Sequence, residues 1–150
     1  VTSLPTDLKD AGLLRTVCCG DEDAVRFLLA WREYVHLIDD IVDGDTAPLD
    51  VIRVGAMANS LFSCPFYLRH TSQLYVTVQL LTCAYRDSVH WEHSPDAWRR
   101  QIADVLRHSG ADMVRAVALL CGGYSHLCRY SLEIHTICYQ EHHDAAGNPV

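Results

Sequence analysis

Three carboxylates fall within five positions, at Asp39, Asp40 and Asp43, in the run His36-Leu37-Ile38-Asp39-Asp40-Ile41-Val42-Asp43-Gly44-Asp45. Side chains four apart on a helix lie one above the other, so Asp39 and Asp43 share a face and Asp40 lies beside them. Such neighbours repel one another. The residues just before a helix-stopping glycine also sit at the negative end of the helix dipole, which disfavours carboxylates further. Two settings tolerate this arrangement: a solvated helix end running into the acidic turn Gly44-Asp45, or a site where a cation neutralises the charge. Hard divalent ions such as Mg²⁺ take oxygen ligands and usually keep several waters, so two carboxylates one turn apart suffice; Mn²⁺ suits the same donors.

The helix that carries these residues is expected from Asp21 to about Asp43. It opens on the acidic residues Asp21-Glu22-Asp23, which suit a helix N-terminus, and is stopped by Gly44. At about 100° per residue, Phe27, Trp31, Tyr34, Ile38, Ile41 and Val42 cluster on one side. Arg32, His36, Asp39, Asp40 and Asp43 fall opposite, in an arc of about 100°. Val25 and Leu29 lie above that arc, so the start of the helix is apolar nearly all round. A central, buried helix with a polar stripe in its C-terminal half is expected.

The ten-residue run from His36 to Asp45 resembles the aspartate-rich motif of the class I isoprenoid synthases, which include prenyl diphosphate, squalene and phytoene synthases. The resemblance implies an isoprenoid-synthase-like helical fold and a DDxxD motif late in a buried helix. It further implies Mg²⁺ (or Mn²⁺) held by Asp39, Asp40 and Asp43 against a diphosphate-containing small molecule. Prenyl transfer or diphosphate ionisation would be the chemistry, with Arg32 and His36 assisting the leaving diphosphate. A second acidic cluster on a facing helix completes the metal site in such enzymes. In terpene cyclases of this group it reads Asn or Asp, then Ser four residues on, then Glu four further. Ser88 and Glu92 match the last two positions, Ala84 stands at the first, and Asp87 is the acid nearest to it. Glu92 is therefore the expected second-cluster ligand, with Asp87 and Ser88 as supporting residues. With 150 residues the chain would form a reduced bundle with a shallower cavity, or a site completed in a homodimer.

Helix geometry singles out Glu92 independently. It shares a face with Leu81, Tyr85 and Ser88, whereas Gln79, Thr82, Arg86, His90 and His93 occupy the polar face. A carboxylate on the apolar side needs a partner, unless it frays at the helix end before Ser94-Pro95. Elsewhere, Arg107, His108, Asp112 and Arg115 form a charged group around Gly110, either a surface ion-pair cluster or a grip on phosphate oxygens. His90-Trp91-Glu92-His93 is not an HExxH motif. His142-His143-Asp144 reads as a solvated tail. No G-x-S-x-G elbow exists, the cysteines look buried, and Gly122-Gly123-Tyr124 lacks the Walker spacing. That glycine pair is expected to allow close packing or a bend. Tyr85, Tyr124, Tyr130 and Tyr139 are expected to be core residues with marginal hydroxyls.

Glycine and proline punctuation divides the rest into helices at about Thr6–Val17, Pro48–Ser60, Thr71–Glu92, Ser94–His108, Ala111–Cys121 and Tyr124–His142. The expected fold is all-α, a single domain over residues 1–150, with six to seven helices in a compact bundle. Of the residues, 49% are apolar and 21% charged, an ordinary globular composition. A net charge of −7 with scattered arginines argues against nucleic acid and anionic membrane as partners. The seven cysteines are odd in number and form no CxxC pair, so a reducing, cytoplasmic setting is expected. No apolar run approaches membrane-spanning length, and the first twenty residues lack a leader pattern. Two alternatives stand beside the metal–diphosphate reading. One is an all-α nucleotide pyrophosphatase, whose ExxE partner motif is not evident; the other is a non-catalytic helical binding or structural protein.

Overall fold

Asp21 shows how local chemistry starts the helix that organises the molecule. Its carboxylate accepts hydrogen bonds from the backbone N–H of Asp23 (2.9 Å) and Ala24 (3.1 Å), satisfying donors that the helix leaves orphaned. In the computed structural model, which describes residues 8–140, that helix is α2, Glu22–Asp43. It follows α1, Leu8–Val17, and ends at Gly44, whose left-handed φ of 80° completes the C-cap. Next come α3 (Pro48–Phe62), α4 (Pro65–Arg69), α5 (Thr71–Trp91), α6 (Ala97–Arg107), a 3₁₀ turn at His108–Gly110, and α7 (Ala111–Gln140). Among the described residues there is no strand. The protein is an all-helical bundle.

The expected boundaries hold closely for α2, α3 and α5. Between the expected helices Pro48–Ser60 and Thr71–Glu92, Pro65–Arg69 forms a further short helix. Five residues are too few to display a helical period, although Pro65 occupies the first-turn position that favours proline. Expected at Ser94, α6 instead begins at Ala97 with Asp96 at its N-cap; Ser94 supplies its hydroxyl to the Asp96 N–H at 3.3 Å. The expected break at Gly122-Gly123 is a kink inside α7, where Gly123 takes φ 78°. A side chain at Gly122 would collide with the His126 ring. The expected helix start at Thr6, the end at His142 and the His142-His143-Asp144 group lie outside the described residues.

The core gathers around the first half of α2. Phe27, Leu28 and Trp31 are buried with Leu61, Phe66, Tyr67, Leu74, Val78 and Leu81, and with Met113 and Val117 of α7. Phe27 packs on Phe66 (centroids 5.7 Å) and Tyr67 (6.2 Å), and Phe62 meets Tyr67 edge-on at 5.1 Å. Burying a Phe-sized side chain contributes about 1.5–3 kcal/mol each. A second cluster joins Val17 to Ala111, Ala118 and Ile134 and holds α1 against α7. Helices α5 and α6 form an antiparallel hairpin. At its turn Trp91 and Trp98 meet edge-on at 5.7 Å, with the Arg99 guanidinium 5.8 Å and 5.3 Å from the two ring centres.

The expectation of a buried α2 holds for only part of its length. Leu37 is its last buried residue, and Val42, assigned to the apolar face, is 46% exposed. Beyond Leu37 the helix outruns the core. Its neighbour there is α3, on which Leu49, Val51 and Ile52 are themselves exposed. No helix among the described residues is long and apolar enough to cross a membrane.

Candidate functional site

The exposed end of α2 carries the aspartates. Asp39 is half-buried, and Asp40 and Asp43 are exposed. Facing them is α5, yet no Cα of α2 lies within 8 Å of a Cα of α5. The two helices therefore meet through long side chains. Tyr85 spans that space at this end: its phenol O–H donates to Asp39 Oδ1 at 2.6 Å. A hydrogen bond this short to an ionised acceptor belongs to the stronger, charge-assisted class.

Three influences push the Tyr85 phenol above its ordinary value of 10.0: burial first, then the hydrogen bond to Asp39, then the negative charges of Asp39 and Asp43. The nearby Arg107 guanidinium opposes them. Tyr85 thus keeps its proton, and with it the bond that fixes the Asp39 carboxylate, throughout the neutral range.

Arg107 comes from the C-terminal turn of α6. Its guanidinium carbon lies 5.8 Å from the Tyr85 ring centre, and its Nη2 donates to Glu92 Oε2 at 2.6 Å. Both members of that ion pair are mostly withdrawn from solvent, with side-chain exposures of 28% and 26%. His93 Nε2 lies 3.6 Å from the other Glu92 oxygen. A line of contacts therefore runs across three helices, from Asp39 through Tyr85 and Arg107 to Glu92.

The sequence-derived residues divide around this line. Asp39 and Glu92 are its two ends, and Asp43 reaches it through its charge on Tyr85. Ser88 is fully buried and bonds back to the Tyr85 carbonyl at 2.6 Å, so its hydroxyl is spent within α5. Asp87 turns away, to Arg86 at 2.8 Å and the Cys83 thiol at 3.8 Å. Arg32 is half-buried and His36 exposed along the polar stripe. The group around Gly110 separates. Asp112 pairs with Arg115 at 2.7 Å, His108 bonds the Asp104 carbonyl at 2.7 Å, and Arg107 goes to Glu92.

Tyr85 is the member that the sequence reading leaves out of the site, whereas Arg107, one of the candidate grips on phosphate oxygens, pairs with Glu92. Tyr85 shares a helix face with Glu92, and a polar tip on that face was the available signal. The pairing of Arg107 with Glu92 carried none, because the two come from opposite arms of a hairpin.

A hard divalent ion would meet only oxygen donors at Asp39, Asp40 and Asp43. Among the described residues none of the three aspartates has a cationic side chain as ion-pair partner, and Asp39 commits one oxygen to Tyr85. Nor do the described residues gather three or more His, Cys, Asp or Glu side chains into a ready cage. Mg²⁺ does not require one, since waters and phosphate oxygens complete its octahedron around one or two carboxylates. The three aspartates supply oxygen donors of the type such an ion takes. No protein-family model, curated protein or solved structure matches the chain.

Proposed function

We propose that the C-terminal end of α2 is a Mg²⁺- or Mn²⁺-dependent site for a small molecule bearing a diphosphate, in a protein of isoprenoid-synthase-like type. The observation that carries this reading is the contrast within Asp39, Asp40 and Asp43: Asp39 is fixed by Tyr85 at 2.6 Å, while none of the three has an ion-pair partner among the described residues. Asp39, Asp40 and Asp43 would hold the cation. When bound, it would neutralise the charge that develops on a departing or attacked diphosphate.

The chain's own residues do the positioning. Tyr85 donates a hydrogen bond to Asp39 and keeps that carboxylate from swinging into solvent. Arg107, anchored by Glu92, places positive charge beside Tyr85 without contacting the aspartates directly. Arg32 and His36, on the same stripe of α2, are the candidates for contacting phosphate oxygens. Glu92 enters as the anchor of Arg107, and a cation at Glu92 would have to share it with that guanidinium.

The same ion pair favours a second reading, a non-catalytic helical scaffold in which polar residues lock α5 to α6 and the aspartates are solvated. Product analysis separates the readings. The protein is incubated with Mg²⁺ and either an allylic prenyl diphosphate or a nucleoside triphosphate, and released pyrophosphate is measured. Release from the prenyl substrate, abolished in Asp39→Ala, supports the proposal. Release from the nucleotide alone moves the site to pyrophosphatase chemistry. Release from neither, with no binding of pyrophosphate, leaves the scaffold.

A further inference from the structure

Helix α3 is apolar on the side that no described residue covers. Its 15 residues include two charges, Asp50 and Arg53, and both are engaged within the helix's own first turns. Asp50 accepts from the Ala47 N–H at 3.0 Å and lies 3.9 Å from the Arg53 guanidinium. Among the described residues of α3, Leu61 alone is fully buried, and half-buried Phe62 packs on Tyr34 at 6.0 Å. At about 100° per residue, Val54 and Met57 fall on the Leu61 side. Opposite them, Val51, Gly55, Asn59, Ile52, Ala56 and Leu49 share an uncharged arc of about 160°. All six are exposed, Leu49 at 74%, Val51 at 62% and Ile52 at 71%. A helix that is apolar all round is ordinarily a buried one.

The face is uneven along its length. Its first half carries the bulky Leu49, Val51 and Ile52, and its second half the smaller Gly55, Ala56, Asn59 and Ser60. Gly55 stands at the midpoint of Pro48–Phe62. A Cβ there would meet nothing within 4 Å, so no described part of the chain requires the glycine. Glycine weakens a helix interior, and what it offers in return is close approach to the backbone.

We propose that the outer face of α3 binds the same face of a second copy of this chain, the two helices running antiparallel across a two-fold axis at Gly55. Such a contact uses one patch twice, so the patch must complement itself. The antiparallel order meets that condition, because it lays the bulky half of each face on the small half of the other. Val51 and Ile52 of one copy then lie over Ala56 and Asn59 of the other, and the axis passes where no side chain intervenes. A parallel order sets bulk against bulk. Charge selects the same order. Asp39, Asp40, Asp43 and Asp45 precede α3 in the chain, and the antiparallel order sends the two acidic ends to opposite ends of the interface. Fifteen residues span about 22 Å, well beyond the screening length of about 8 Å at physiological salt. Each face offers on the order of 500 Å², so a pair reaches the about 1,000 Å² of a weak but specific interface.

The test measures the solution mass of the full chain by sedimentation equilibrium from low to high micromolar concentration. The wild type should show a monomer–dimer equilibrium. Gly55→Leu fills the crossing point, where the monomer has open space, and Ile52→Lys places a charge on the face. Each should weaken association by about tenfold or more and leave the helical circular dichroism unchanged. Hydrogen exchange of the wild type reads the same face without a substitution: amides of residues 48–60 should slow as concentration rises. A wild type that stays monomeric throughout overturns the proposal, including the case in which the monomer binds phosphatidylcholine vesicles through α3 instead. So does a dimer that both variants retain, or one whose exchange slows only outside residues 48–60. The exchange measurement decides the matter even if a variant fails to fold.

Discussion

The two ends of α2 treat the same kind of residue in opposite ways. At its start, Asp21 and Asp23 lie at the positive end of the helix dipole. Asp21 caps two backbone N–H groups, and Arg69 from the end of α4 reaches Asp21 at 2.8 Å and Asp23 at 2.9 Å. At its finish, Asp39, Asp40 and Asp43 lie at the negative end, and among the described residues their one hydrogen bond from a side chain of another helix is the Tyr85 phenol on Asp39. Acids at the start satisfy the fold's own needs. Acids at the finish work against the fold and gain little compensation from the described residues beyond Tyr85. A charge that local structure explains is poor evidence for a ligand, and one that local structure opposes is better evidence.

Four substitutions sharpen or break this contrast. The largest effect is expected from Arg107→Ala, which strips a mostly buried Glu92 of its 2.6 Å partner. A loss of about 2 kcal/mol in denaturant-derived stability is expected, and Glu92→Ala in the same chain should recover part of it. Asp21→Ala should follow, with about 1 kcal/mol lost because the cap is removed. If equilibrium unfolding shows no loss there, the structural account of the acids at the start fails.

Tyr85→Phe should cost about 1 kcal/mol and also change the pH profile. The folded state holds the Tyr85 proton more tightly than the unfolded chain does. Its contribution is therefore fully present below the ordinary value of 10.0 and is lost as pH rises above it. Stability measured across the alkaline range should fall in wild type and flatten in the variant. The smallest effect carries the opposite sign. Without metal, Asp40→Asn should raise stability by a few tenths of a kcal/mol, by relieving like-charge repulsion and the unfavourable dipole. A clear loss of stability there would erase the distinction between the two ends.

What the sequence made legible was local. Asp21 and Gly44 are readable as the start and stop of α2 because capping depends on the residue's own side chain or backbone freedom, and the Gly122-Gly123 bend follows from the same logic. The line from Asp39 to Glu92 was half legible. Helical periodicity put Tyr85, Ser88 and Glu92 on one face, but Arg107 arrives through the antiparallel pairing of α5 with α6, which no local pattern encodes. The end of α2 was misjudged for a related reason. Its apolar period continues through Val42, whereas burial depends on whether another helix is present to cover it. The cysteines illustrate the same point. The apolar stretches around most of them suggested buried thiols, while Cys19, Cys83 and Cys128 are exposed and Cys18 is fully enclosed. Tyr124, expected at the core margin, is 74% exposed.

The central claim is that the acids ending α2 hold a cation and, through it, a diphosphate. The most direct test follows thermal unfolding of wild type and Asp39→Ala/Asp43→Ala with Mg²⁺ or Mn²⁺, with and without pyrophosphate. Binding to the folded state at a hundredfold excess over Kd stabilises it by about 2.7 kcal/mol. The account predicts a metal-dependent rise in the wild-type midpoint, enlarged by pyrophosphate and absent in the double variant. An unchanged wild-type midpoint across millimolar metal, with pyrophosphate present, would contradict it and leave the aspartates as a solvated helix end.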